Sequence, residues 1–457
     1  MNLNIIDFLK ANSSVEWKFS FNTKTCKDSW FLLRNDEKFK LRNPNLDIKE
    51  EITNALKNGA KGLIISGETP KDLEIPSNIP VINVKSAILA YAEIAKYHRQ
   101  FLNCKVIVVS GSNGKTTVKD LLHHILKAKF KVKTTYGNDN TIVGVSKTVL
   151  NCAEDIEILI LEVGIKGFNY LKNMVNLSKA EIGILTNIGV SHLQYLKSRE
   201  NIAKAKAEIF ENPDLFMKVF LPFNEPLLDP YIKAAKNKEF RFFGDFNFIE
   251  YNENYIEFNY RNENFKLPAS NLSLAYNATA VIDTALSLGL NMATIKERLL
   301  SFKVGEKRGK IIKLNSEAYL FNESYNGSPI SVNLLAFSLN KFPKKGQKIL
   351  ILGELAELGD SAKPLLEEMS TTIANSVDLI ILKNGENQEF LKEELLKKGQ
   401  RTLLFESTEE IYNYLVKENL LKKDNVIGVK GSAVANMSEL TDLLNITSQI
   451  IVPPLGG

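Results

Sequence analysis

Residues 108–122 read "VVSGSNGKTTVKDLL". An apolar run closes at Ser110, a glycine-bracketed turn follows, and Lys115, Thr116 and Thr117 open a stretch of helical pattern that starts near Thr116. A strand handed to a helix through such a turn is the unit from which phosphate-binding α/β sheets are built. Gly111 and Gly114 let the backbone turn tightly, so that amide hydrogens around Ser112 and Asn113 converge on an anion. The helix start adds the positive end of its dipole. Lys115 has the reach for a terminal phosphate, and the Thr116 hydroxyl is placed to ligate Mg²⁺, as in other loops of this kind. The common form carries a glycine where this chain has Val109, so the loop is a variant. An ordinary strand-turn-helix with a surface lysine is the bland alternative. The density of glycine, lysine and threonine directly after a strand argues against it.

Working outward, 457 residues predict two or three domains. Hydrophobic residues make up 44% and charged ones 24%, the balance of a globular chain. A net charge of +5 is small for this length, and the lysines are interleaved with glutamates. That describes a solvated surface, not a nucleic-acid stripe. Cys26, Cys104 and Cys152 are far apart and lack metal spacing, which suits a reducing compartment. The opening "MNLNIIDFLKANSSVEWKF" has no signal-peptide pattern, and no run approaches the roughly 18 apolar residues of a membrane span. A cytoplasmic protein without membrane insertion is expected, acting as a monomer.

Three segments separate by rhythm. Residues 1–101 hold short strand-like runs (Trp30 to Leu33, Gly62 to Ser66, Pro80 to Val84) around the helical "DIKEEITNALKNGA", and end in the helical "SAILAYAEIAKYHRQF". Residues 102–309 carry buried-strand candidates at "KVIVVS", "IEILILEV", "EIGILTNIG" and "MKVFLP", separated by helical patterns. They predict a mostly parallel sheet covered on both faces. Residues 310–457 repeat the alternation at "KILILGEL", "VDLIILKNG", "RTLLFES" and "NVIGVKGS", a second and smaller doubly wound unit. The final "IVPPLGG" reads as a disordered tail. The fold class is α/β in three domains.

Ligands of open α/β sheets bind at the carboxyl ends of the strands. Glu162 closes one buried run, and His192 follows another after a short turn. Both stand on the edge that carries the phosphate loop, where they could hold Mg²⁺. Taken singly, each reads equally as a rim or loop residue. Lys206, in "NIAKAKAEIF", is by pattern an ordinary helix lysine. Asn138 and Asn140 sit in a polar loop, "TTYGNDNTIVGVSKT", punctuated by Gly137 and Gly144.

With these residues in hand, the chain resembles the Mur ligases. "GSNGKTT" is similar to that family's own phosphate loop, which accounts for Val109, and "GNDNTIVGVSKT" resembles its "GNxNNxxGxPxT". "LTNIGVSHLQYLKSRENIAKAKAEIF" is similar to the stretch ending in its modified lysine, and "ESYNGSP" and "LGELAELGD" resemble "DSYNANP" and "LGDMxELG". The resemblance implies an N-terminal UDP-sugar domain, a central P-loop ATPase domain and a C-terminal Rossmann-like domain that closes over the site. It also implies a reaction. ATP phosphorylates the terminal carboxylate of UDP-N-acetylmuramoyl-tripeptide, and the amine of D-alanyl-D-alanine displaces the phosphate, a step in the synthesis of a cell-wall precursor.

Residue roles follow only where positions match. Lys115 would hold the terminal phosphates, and Thr116 one Mg²⁺. Glu162 and His192 would ligate a second Mg²⁺, with Lys206 as a carbamate beside it. Asn138 would position the activated group. Asn277 in "LAYNATA" matches an adenine-contacting asparagine, Arg308 begins the closing hinge, and Glu323 stands where the family carries aspartate before "SYN". The chain also departs from the pattern. Ser273 and Leu274 replace the histidine and first asparagine of the adenine motif, Leu366 replaces a histidine, and Ala433 replaces the arginine after "KGS". Asn22 and Lys24 take the aspartate and arginine places of an N-terminal motif. Two alternatives stay open: a sibling ligase that adds another amino acid, and a homologue of reduced catalytic power that binds nucleotide. A regulatory GTPase is disfavoured, because no guanine-reading "NKxD" follows the loop.

Overall fold

A computed structural model describes residues 18–190 and 193–447 apart from Asp36, together with Ile5 and Asp7. The expected tail at 451–457 and the candidate ligand His192 lie outside the described residues.

The first sheet has four parallel strands in sequence order, Phe19–Ser20, Trp30–Leu33, Gly62–Ser66 and Val81–Val84. Alternation along the strands divides its core in two. Trp30, Leu32, Ile64 and Ile82 pack with the helix Ala87–His98, whereas Phe31, Leu33, Leu63 and Ile65 pack with the helix Ile48–Lys57. Both faces are covered, so the two central strands, Trp30–Leu33 and Gly62–Ser66, are buried along their whole length.

The second sheet holds the phosphate loop. Its six strands are all parallel, in the order Lys238–Phe243, Met217–Pro222, Ile182–Leu185, Lys105–Ser110, Ile158–Glu162, Val132–Thr134. From Lys105–Ser110 the chain passes to the edge strand Val132–Thr134, returns to place Ile158–Glu162 in between, then crosses and continues outward on the other side. The phosphate loop therefore stands where the strand order reverses, the place at which open α/β sheets take ligands. Val106, Ile107, Val108 and Val109 are all fully buried beneath it.

Sequence rhythm misses part of this region. Lys238–Phe243 is an edge strand with two exposed residues, so its "KEFRFF" lacks a buried-strand signature. A separate antiparallel sheet, Asn247–Tyr251, Tyr255–Tyr260 and Glu263–Pro268, follows. Its middle strand alternates half-buried and buried residues, the period-2 pattern of a one-sided sheet, and not the solid runs expected from parallel strands. Its apolar face joins the core with Ile295 and Leu299 of the helix Met292–Leu300.

The last sheet is ordered Lys310–Lys313, Tyr319–Glu323, Val426–Lys430, Lys348–Leu352, Leu379–Lys383, Thr402–Phe405. It is parallel except for its first strand, an antiparallel edge that the sequence reading did not mark. Among the described residues no helix is long and apolar enough to cross a membrane.

Candidate functional site

The helix after the phosphate loop runs Lys115–Leu126, one residue ahead of the start expected at Thr116. Gly111 and Gly114 adopt φ of +144° and +78°, and both are crowded. A Cβ on Gly111 would meet Thr186 Oγ1 at 1.8 Å, and one on Gly114 would meet Asn277 Oδ1 at 2.5 Å. Only glycine fits either place, for conformation and for space.

The loop is pinned from the neighbouring strand end. Asn113 N–H donates to Asn187 Oδ1 (3.0 Å), Asn187 Nδ2 donates to Asn113 O (3.1 Å), and Gly189 N–H donates to Ser112 Oγ (2.8 Å). Lys115 Nζ folds back onto Gly111 O (2.8 Å) and Ser112 O (3.1 Å). Burial lowers its pKa from the ordinary lysine value; Glu162 draws it back up and Arg308 pushes it further down. Thr116 is buried at the helix start, and Thr117 is half-buried beside it.

Glu162 ends its strand directly beside Val109 in the register. Its side chain is 1% exposed; Oε1 accepts from Asn140 Nδ2 at 3.0 Å, and Oε2 is buried with no partner. Lys206 lies on the helix Arg199–Ala207, 1% exposed, and its Nζ is likewise buried without a partner. Burial first, and the charge of Lys115 second, hold its pKa well below the usual lysine range. The helix lysine that pattern alone leaves ordinary is thus an amine in a dry setting.

An unpartnered carboxylate oxygen at a phosphate loop is the donor a cation would satisfy. Among the described residues no three His, Cys, Asp or Glu side chains converge. That is compatible with Mg²⁺, which is usually held by one or two carboxylates and by substrate phosphates. The donors present, Glu162 and Thr116, fit the group. An ammonium at Lys206 would not, whereas a neutral amine or a carbamate would.

Other expected residues fall as follows. Asn277 is buried against Gly114. Arg308 stacks on Tyr325, 3.8 Å from the ring centroid. Glu323 is 7% exposed and takes Lys430 Nζ at 2.5 Å in a buried ion pair, which commits a carboxylate expected to face nucleotide. Asn138 stands exposed, and it is Asn140 that grips Glu162. Sequence reasoning passed over Thr186, Asn187 and Lys119, all of which shape the site. The "TN" after a buried strand was a usable signal for the first two.

The C-terminal sheet's unit reaches this place. Ser328, the N-cap of the helix Pro329–Lys341, accepts from Asn113 Nδ2 at 3.1 Å, and Gln194 N–H donates to Glu357 O at 3.2 Å.

Comparison with known proteins gives matches over most of the chain. Residues 109–283 match the Mur ligase middle domain, and residues 307–433 match the Mur ligase glutamate ligase domain. The UDP-N-acetylmuramoyl-tripeptide–D-alanyl-D-alanine ligase of Bacillus subtilis is 30% identical over 358 residues, covering 77% of this chain and 78% of that protein. Among solved structures, MurF ligase from Thermotoga maritima in complex with ADP superposes with a TM-score of 0.82 at 23% identity, covering 95% of this chain and 98% of that one. MurF from Acinetobacter baumannii superposes with a TM-score of 0.81 at 22% identity, covering 94% and 93%.

Proposed function

Because the chain belongs to the Mur ligase family, we propose that it joins D-alanyl-D-alanine to UDP-N-acetylmuramoyl-tripeptide in an ATP-driven step of peptidoglycan precursor synthesis. The observation that carries the reading is the unpartnered pair, Glu162 Oε2 and Lys206 Nζ, buried beside a complete phosphate loop. Similarity to the Bacillus subtilis enzyme supports the choice of substrates.

In this reading the terminal carboxylate oxygen of the tripeptide attacks the γ-phosphorus of ATP, and ADP leaves. The amine nitrogen of D-alanyl-D-alanine then attacks the acyl carbon, the C–O bond to phosphate breaks, and a proton is lost from nitrogen. Mg²⁺, when bound, would neutralise charge on the phosphates; Thr116 is the proposed ligand of one ion, and Glu162 and His192, with the Lys206 carbamate beside them, of a second. Lys115 and the loop amides hold the transferring group, an electrostatic role prepared before the reaction begins. Asn138 is proposed to hold the activated substrate and Asn277 and Arg308 to line the nucleotide site; Glu323 would have to leave its pair with Lys430 to join them. Burial lowers the Lys206 pKa and so favours the neutral amine, the form able to add CO₂; an N–C bond forms, one proton leaves, and a neutral amine becomes an anion. Residues 1–101 are assigned to the UDP-sugar, 102–309 to ATP and 310–457 to closure, in a cytoplasmic monomer.

The test is phosphate release by the purified full chain with ATP, Mg²⁺ and UDP-N-acetylmuramoyl-tripeptide, with and without D-alanyl-D-alanine, the product being weighed by mass spectrometry. Release that needs both substrates, with a product heavier by the dipeptide, is expected. ATP binding without release, for any muramoyl peptide or amine, would overturn the reading in favour of a nucleotide-binding homologue.

A further inference from the structure

We propose that Lys119 is a positioning residue for this reaction, one that fixes the loop 135–140 against the phosphate-loop helix and thereby sets Glu162. It lies one turn beyond Lys115 on the same helix and is 2% exposed. A helix lysine ordinarily lays its stem along the surface and keeps its charge in water. Burying an ammonium is unfavourable unless every N–H is paired. Here Nζ donates to Thr135 O at 3.1 Å and to Gly137 O at 2.6 Å, and its charge is paired with Asp120 Oδ1 at 3.1 Å.

The loop it holds has little packing of its own. Tyr136 is 89% exposed, nothing lies within 4 Å of where Gly137 would carry a Cβ, and Asn138 is exposed. Segments of this kind open easily, so order must come from the backbone, and Lys119 bonds the carbonyls on both sides of Tyr136. From there the order passes to the acid. Thr135 Oγ1 accepts the Glu162 N–H at 3.0 Å, Asn140 Nδ2 donates to Glu162 Oε1 at 3.0 Å, and Gly164 N–H donates to Asn140 O at 2.9 Å. Both ends of the clamped loop thus grip Glu162. A charge buried solely for stability would have no reason to be spent on the loop that orients this carboxylate.

The inference rests on the ligase reading only for what Glu162 does, so its test has a readout apart from activity. Lys119→Met and Lys119→Arg would be made in the full chain, with Thr135→Val as an independent cut between the loop and Glu162. Lys119→Met should raise amide hydrogen exchange over 136–142 by about 10-fold or more, leave 115–126 unchanged, and lower kcat about 100-fold with ATP affinity by calorimetry held within about 3-fold. Lys119→Arg should restore most of the protection. Thr135→Val should lower kcat about 10-fold at unchanged ATP affinity, and it decides the matter if Lys119→Met does not fold. Unchanged exchange over 136–142, ATP affinity falling in parallel with kcat, or wild-type kcat in Thr135→Val would each overturn the proposal. Absence of ligation by the wild-type chain would instead overturn the ligase reading, and exchange would still decide the clamp.

Discussion

Replacing Gly114 by alanine would set a methyl group 2.5 Å from Asn277 Oδ1 at a φ of +78°. Loop and asparagine cannot both stay. ATP affinity, measured by calorimetry, is expected to fall at least about 10-fold, since the amides that meet the phosphates would be displaced. Lys206 tests the chemistry. Lys206→Ala should lower kcat by about 100-fold or more, while Lys206→Glu, which supplies an anion directly, should keep part of the rate. Full activity in the alanine variant would remove Lys206 from the site. At this scale the sequence was legible where residue type and spacing carry the chemistry, as at Gly111, Gly114 and Lys115. It was mute for Lys119 and Lys206, because a helix pattern does not say which lysine faces a neighbouring strand end. Asn138 and Asn140 differ for the same reason: only folding decides which amide meets Glu162.

Elements were legible when they were buried on both faces. The solid runs at Lys105–Ser110, Ile158–Glu162 and Lys348–Leu352 announce themselves, whereas Lys238–Phe243, Lys310–Lys313 and the antiparallel sheet do not, being edges or one-sided. Helix ends carry a further consequence. His98 closes the helix Ala87–His98, and His123 and His124 lie in the last turns of Lys115–Leu126. Burial is the largest influence on each and lowers its pKa below the ordinary 6.5, and His98 Nε2 is buried without a partner. As pH falls through 6.5 the unfolded chain takes up these protons before the folded one does, so stability is lost in that window and is whole above it. Thermal unfolding should show a Tm lower by about 2 °C or more at pH 5.5 than at pH 7.5. His98→Asn should flatten that slope; an unchanged slope would mean that His98 does not contribute.

Across the whole molecule, the antiparallel sheet forms a bracket between the central and C-terminal sheets. Glu253, in the turn between its first two strands, bonds the Tyr319 hydroxyl and takes Lys344 Nζ at 2.5 Å, while Tyr251 packs edge-on to Phe342. Glu253 and Lys344 are partly exposed while Tyr319 is buried, so the ion pair contributes about 1 kcal/mol at most, enough to shift any equilibrium between docked and undocked forms a few-fold. Glu253→Gln is expected to raise the radius of gyration of the free protein in small-angle scattering and to leave ATP affinity unchanged. The bracket was hidden in the sequence because it joins residues far apart in the chain through single side chains.

The hydrogen bond from Asn113 to Ser328 places the C-terminal unit on the rim of the phosphate loop itself. Release of spent nucleotide past that rim is therefore expected to need the two units to part. Turnover should then be paced by the drag of solvent on a swinging domain, not by bond-making. Added sucrose or glycerol should slow kcat in proportion to viscosity, and a rate indifferent to viscosity would return the slow step to chemistry.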